Sequence, residues 1–256
     1  SESGPFSTTM TLHNSGDSAV TYTPSNAANS VATAGNPYAP TYWISGAGVS
    51  FSNSTVTVPE GGSATVSVTI TANPGLPDKA VYGGYLVFTP DDVGQTVRVP
   101  YSGFKGDYQS ITVLEPTPNG FPWLAKLDGN TYRRQEAGAT FTMKDGDIAH
   151  VLAHFRHFAR VVKMEIVPLR QTNGNLDLTT FKTEYFGRNS TPNGFFAFAW
   201  DGTAVNTRAR ARDDVRVRVP EGDYQLKFSV LKALGDANNP AHWETWTSPV
   251  ITVERP

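Results

Sequence analysis

The chain contains no cysteine, which excludes disulfides, thiolate metal sites and a cysteine nucleophile together. It also lacks any uninterrupted apolar run of the roughly 18 residues that a membrane-spanning helix requires. Ser1 opens no signal peptide, so that any secretory signal is expected to have been removed or to lie upstream. Charge of one sign is missing too. Lys+Arg 21 against Asp+Glu 23 leave a formal charge of −2, with no global field to draw in nucleic acid or an anionic membrane. No long Ala/Leu/Glu/Lys run is present, and little helix is expected.

What the chain has instead is 23 glycines and 18 prolines spread through 256 residues, with abundant Val and Thr. That composition favours short strands joined by tight turns, and the length suits two domains. From Ser63 to Ile70 apolar and polar residues alternate, which places Val66, Val68 and Ile70 on one core-facing strand face. Val56 and Val58 read the same way. The intervening Pro59-Glu60-Gly61-Gly62 is a turn signal, so the two segments look like a hairpin. Further strands are expected at Phe6 to Leu12, Val20 to Thr23, Tyr82 to Phe88 and Thr96 to Tyr101, with Asn26 to Pro40 a long loop. This rhythm of short strands is that of immunoglobulin-like and fibronectin type III-like sandwiches.

Proline and glycine density rises from Leu114 to Gly120, and the domain boundary is placed there. The predicted architecture is all-β: a fibronectin type III-like β-sandwich over 1–112 and a second, larger β-sandwich with long insertions over 113–256. In the second, alternation recurs from Val215 to Val219, at Leu226, Phe228 and Val230, and at Ile251 and Val253. Ile148 to Val167 also fits a helical period through Val151, Phe155, Phe158 and Val162. The flanking Gly146 and Pro168 and the β-branched Val161-Val162 favour two strands with a turn near His157.

Few residues suggest chemistry. His150, His154 and His157 are close in sequence, but a strand points His157 away from the other two, and no acidic third ligand is evident. They read as half-buried histidines in a strand pair. No Gly-Xaa-Ser-Xaa-Gly elbow or subtilase serine motif occurs. Asp91-Asp92, Asp145-Gly146-Asp147 and Asp213-Asp214 read as turn formers, not a calcium loop. No cofactor and no metal is expected. Lys105-Gly106-Asp107 has the form of an integrin-type tripeptide, a match of almost no specificity. Asn53-Ser54-Thr55 and Asn189-Ser190-Thr191 match the glycosylation acceptor pattern.

Two surfaces are candidates for ligand or interface contact. Arg208, Arg210, Arg212, Arg216 and Arg218 share one face of a continuous strand. A solvent face opposite Val215, Val217 and Val219 is the first reading and a ligand surface the second. Among Trp43, Trp123, Trp200, Trp243 and Trp246, the pair Trp243 and Trp246 is the one to test as a stacking platform, against the default of core packing.

Two passages carry a resemblance: Val99-Pro100-Tyr101-Ser102-Gly103-Phe104-Lys105-Gly106-Asp107-Tyr108, and Leu231 to Pro249 with its Trp243-Glu244-Thr245-Trp246-Thr247-Ser248-Pro249. Gly4-Pro5-Phe6 and Asn14 to Tyr22 add to it. Together they resemble the fibronectin type III-like region that follows the catalytic domain in secreted subtilisin-like serine proteases of the cell-envelope proteinase (lactocepin-like) and minor extracellular protease type. The resemblance implies a non-catalytic accessory segment at the cell surface or secreted, with the triad upstream of this chain and no catalytic residue in it. It implies as partners the subtilisin-like catalytic domain of the same parent chain and, further, an extended peptide substrate or a cell-wall polymer. The alternative expectation is an autonomous module for a cell-surface polymer or glycan.

Overall fold

The computed structural model describes residues 4–27, 31–34, 36–92, 94–170, 179–205 and 216–256. It is all-β, and the described residues contain no α-helix. The chain divides into two compact units, Ser1–Tyr108 and Gln109–Pro256.

The strands of the first unit are β1 (Phe6–His13), β2 (Val20–Asn26), β3 (Val31–Ala34), β4 (Thr41–Ile44), β5 (Gly48–Phe51), β6 (Val56–Val58), β7 (Ser63–Thr71), β8 (Val81–Pro90) and β9 (Val97–Phe104). One sheet has the order β1-β7-β5. The other runs β4-β3-β8-β2-β6, with β9 along the second edge of β8. Val66, Val68 and Ile70 are buried, as are Tyr82, Leu86 and Phe88 of the opposing sheet. Alternation along β7 therefore marks its core face, as expected.

Two local expectations are corrected. Val56–Val58 and Ser63–Thr71 are not a hairpin, because β6 pairs with β2 whereas β7 pairs with β1 and β5. The Pro59-Glu60-Gly61-Gly62 turn carries the chain across from one sheet to the other. Alternation reports which face of a strand is buried and says nothing of which strand lies alongside. The stretch Asn26 to Pro40 is also not all loop: β3 lies within it, held by β4 on one side and β8 on the other. Ladder partners remote in sequence override weak local propensity there.

In the second unit the strands are β10 (Trp123–Asp128), β11 (Thr131–Arg134), β12 (Ala139–Phe141), β13 (Ala149–Ala153), β14 (Ala159–Pro168), β15 (Thr179–Phe186), β16 (Phe196–Trp200), β17 (Thr203–Val205), β18 (Arg216–Arg218), β19 (Gly222–Lys232), β20 (Trp243–Thr247) and β21 (Ile251–Val253). A four-stranded sheet β11-β10-β13-β16 accompanies a six-stranded sheet β12-β21-β19-β14-β15 in which β20 also pairs with β19; β17 and β18 form a ribbon. The core joins Phe141, Phe155, Trp200, Leu226, Phe228, Val230 and Ile251, all fully buried. Phe155 sits at its centre, with the rings of Phe186, Phe196, Phe198 and Phe228 at centroid distances of 5.0 to 6.2 Å.

The ambiguous stretch Ile148 to Val167 is two strands, β13 and β14, with His157 between them. Every residue of β13 is buried. Val151 faces the main core, while Leu152 joins a smaller cluster with Phe121 and Ala125 on the other side of the sheet. A strand covered on both faces loses its polar alternation, and this is why the run mimicked a helix.

The carboxylate of Glu244 on β20 fixes the incoming segment of this unit. It accepts the backbone N–H of Val113 at 2.8 Å and of Leu114 at 2.7 Å. Lys232 lies 3.4 Å from the same carboxylate and donates to the carbonyl of Gln109 at 2.6 Å.

Candidate functional site

The expected candidates scatter. Arg208, Arg210 and Arg212 lie outside the described residues. Arg216 and Arg218 are exposed on β18 either side of Val217, and Arg216 donates to the Thr203 hydroxyl at 3.3 Å. Trp243 and Trp246 stand three residues apart on β20, so they point to opposite faces. Trp246, opposite Phe228, packs against the main core. Trp243 lies under the Lys163 ammonium at 5.1 Å and donates its indole N–H to the Ala237 carbonyl at 3.0 Å. The two do not share a platform. Trp123 has Arg134 over its ring at 5.4 Å and Phe121 against it at 4.8 Å.

The histidines part company as well. His150 lies on the outer side of β13, edge-on to Tyr132 at 5.2 Å. Burial pushes its pKa down, against an opposing pull from the Ile148 backbone. His154 is wholly buried, with Nδ1 2.6 Å from the Gly194 carbonyl, which can only accept and so holds the proton on Nδ1. Its Nε2 stands 3.7 Å from the Glu115 carboxylate, which Arg156 engages at 2.5 Å. Among the described residues no three His, Asp or Glu side chains gather as a metal site.

The other motifs are absorbed by the fold. Lys105 reaches the carbonyls of Pro74 and Leu76 with its ammonium. Asp147 accepts from Lys126 at 2.9 Å and from the Thr142 N–H at 2.8 Å; burial works to raise its carboxyl, and these contacts together hold it below the usual range. Asn53 is exposed, whereas Asn189 is buried and its side-chain carbonyl accepts the Phe155 N–H inside the fold.

A site that the sequence did not announce lies where β14 begins and β15 and β19 end. Ala159 pairs with Phe186 of β15 on one side and with Lys232 of β19 on the other. The ladder to β19 then skips a residue, since Val161 faces Leu231. Arg160 is the extra residue, a bulge that re-aims its side chain. Across the other ladder, between the Ala159–Phe186 and Val161–Glu184 pairs, its counterpart is Tyr185. Tyr185 has φ of 55°, and Leu234, in the turn after β19, has φ of 60°. Both occupy the left-handed region that costs a non-glycine residue energy.

These departures from regular geometry throw side chains outward. Tyr185 is 82% exposed, Leu234 62% and Phe158 57%, the three most exposed large apolar side chains of this unit among the described residues. All three line one pocket of about 400 Å³, together with Phe186, Arg160 and two alanines. Arg160 is the only charged residue in that lining, and it donates one N–H to the Gly235 carbonyl at 2.6 Å. The volume falls within the roughly 300–1,000 Å³ of ligand clefts. Beside the pocket, β15 ends its sheet and pairs as a strand with β14 alone among the described residues.

The fold and this site define an all-β protein with an exposed apolar pocket at a sheet edge. Residues 2–102 match the family model of the Fn3-like domain and are an Fn3-like region. No curated protein matches the chain. Among solved structures it is similar to the CupB2 chaperone of Pseudomonas aeruginosa, at 11% identity over 94% of this chain and 91% of that one, with a TM-score of 0.28. It is similar also to the class 5 fimbriae chaperone CfaA, at 11% identity over 96% and 93% with a TM-score of 0.35. A third is the CsuC–CsuE chaperone–tip adhesion subunit complex of Acinetobacter baumannii, at 13% over 97% and 92% with a TM-score of 0.27. The expectation of an accessory segment of a subtilisin-like protease is corrected accordingly: the structures named are pilus and fimbrial chaperones, and none is a protease segment. At such TM-scores they pass neither activity nor partner to this chain. No helix of the described residues is long and apolar enough to cross a membrane.

Proposed function

We propose that this chain works by binding a protein partner rather than by catalysis, and that the second unit makes the contact through the pocket at the β14–β15–β19 end. The observation that carries this is the convergence of Tyr185, Leu234 and Phe158 on one concavity. Large apolar side chains left in water are a cost that partner binding relieves, by roughly 1.5–3 kcal/mol for each one fully buried. Two of them are held there by strained backbone, and strain of that kind concentrates at working sites. The adjacent edge of β15 suits an extended segment that pairs by main-chain hydrogen bonds. A secreted or cell-surface location belongs to this reading, supported by the Fn3-like match, since many cell-surface domains share the sandwich architecture.

The test is site-specific photo-cross-linking in source cells, with benzoylphenylalanine at position 234 and, as control, at exposed Thr245 on β20. One discrete protein adduct from 234, absent from 245 and abolished by Tyr185→Ser, is the expected result. No adduct, or the same adducts from both positions, would overturn the reading.

A further inference from the structure

The pocket's composition says more about its occupant than that it is a protein. Its walls are aromatic and aliphatic, and its single charge is the Arg160 guanidinium. No carboxylate among the lining residues neutralises that charge. Arg160 spends one N–H on the Gly235 carbonyl at 2.6 Å, and the guanidinium fork carries several more donors. The carbonyl contact anchors the side chain, while the bulge sets it apart from the regular ladder positions of β14. An anchored guanidinium beside an apolar concavity is complementary to a carboxylate that approaches together with a large apolar side chain.

We propose that the pocket recognises an acidic-hydrophobic segment of the partner protein: a Phe-, Leu- or Ile-sized side chain enters between Tyr185, Leu234 and Phe158, and an Asp or Glu within two positions of it pairs with Arg160. This rests on the reading of the pocket as the partner-binding site. The apolar side chain supplies most of the affinity, and the carboxylate supplies the preference. An Arg–carboxylate pair open to water adds a modest increment over a neutral neighbour, and a basic neighbour is disfavoured further by like-charge repulsion.

A random decapeptide display selection on the full chain tests it, with binders to Tyr185→Ser/Leu234→Ser subtracted and the fold of each variant checked by circular dichroism. The expected outcome is enrichment of a large apolar residue with Asp or Glu within two positions. Arg160→Gln then weakens a selected acidic peptide by roughly 3- to 10-fold, while its Asn- or Gln-substituted form binds both proteins within about twofold. Enrichment of apolar peptides without acidic preference, indifferent to Arg160→Gln, overturns the inference and leaves the partner-binding reading standing. If nothing is enriched beyond what the double variant retains, both fall.

Discussion

Asn189 and Phe155 are tied together twice. The Asn189 side-chain carbonyl accepts the Phe155 N–H at 2.7 Å, and the Asn189 N–H donates to the Phe155 carbonyl at 2.8 Å. The bridge fastens the loop after β15 to the residue whose ring centres the aromatic core. Asn189→Ala keeps the backbone bond and strands a buried N–H, which costs about 1–3 kcal/mol. Thermal unfolding of the full chain, followed by circular dichroism, is expected to show the second unit melting several degrees lower. An unchanged transition would mean that the Phe155 N–H finds another acceptor.

Acid is expected to weaken the second unit in two stages. Burial lowers the pKa of His150, so its folded value lies below the unfolded value of about 6.5. Its contribution is present above that pH and is lost as pH falls through the folded value. Asp147, held below the usual carboxylate range despite its burial, contributes above about pH 4 and loses that contribution as pH falls through its folded pKa. Urea midpoints measured across this range should fall on acidification. His150→Phe should flatten the upper stage and Asp147→Asn the lower one.

Gly103 of the first unit is required by its neighbour. It lies opposite Tyr82 in the β8–β9 ladder, and a Cβ there would run into the Tyr82 ring, which is itself buried. Gly103→Ala is expected to destabilise that unit by roughly 1–3 kcal/mol, the usual cost of overpacking. The check is the urea unfolding of this variant beside Gly83→Ala, where the nearest atom stands at 3.0 Å and is the Tyr101 carbonyl oxygen.

Tyr185 and Leu234 trade stability for exposure. Glycine at either position relieves the left-handed backbone at no steric cost. Tyr185→Gly and Leu234→Gly are therefore expected to leave the stability of the unit unchanged or raise it by about 1 kcal/mol, while Tyr185→Gly loses the cross-link from position 234 and Leu234→Gly loses binding of the selected peptides. A large fall in stability would show that these side chains serve the core instead.

Much of the fold is legible in the residues. The alternation of Val66, Val68 and Ile70, and of Leu226, Phe228 and Val230, identifies strands and their core faces, because the pleat has period two and one face of each is dry. The absence of cysteine and of long apolar runs removes whole classes of protein without any structure. Pairing is another matter. Val58 and Val66 look alike in sequence yet belong to different sheets, and Val31–Ala34 becomes a strand only because β4 and β8 flank it.

The pocket was decided by tertiary structure alone. Phe158, Arg160, Tyr185 and Leu234 come from three separate stretches of chain, and no spacing rule links them. What gathers them is a one-residue bulge in β14 and two non-glycine residues held at positive φ. Composition and periodicity describe which residues prefer water and with what repeat; a bulge or a left-handed tyrosine is imposed by packed neighbours that the local sequence does not contain.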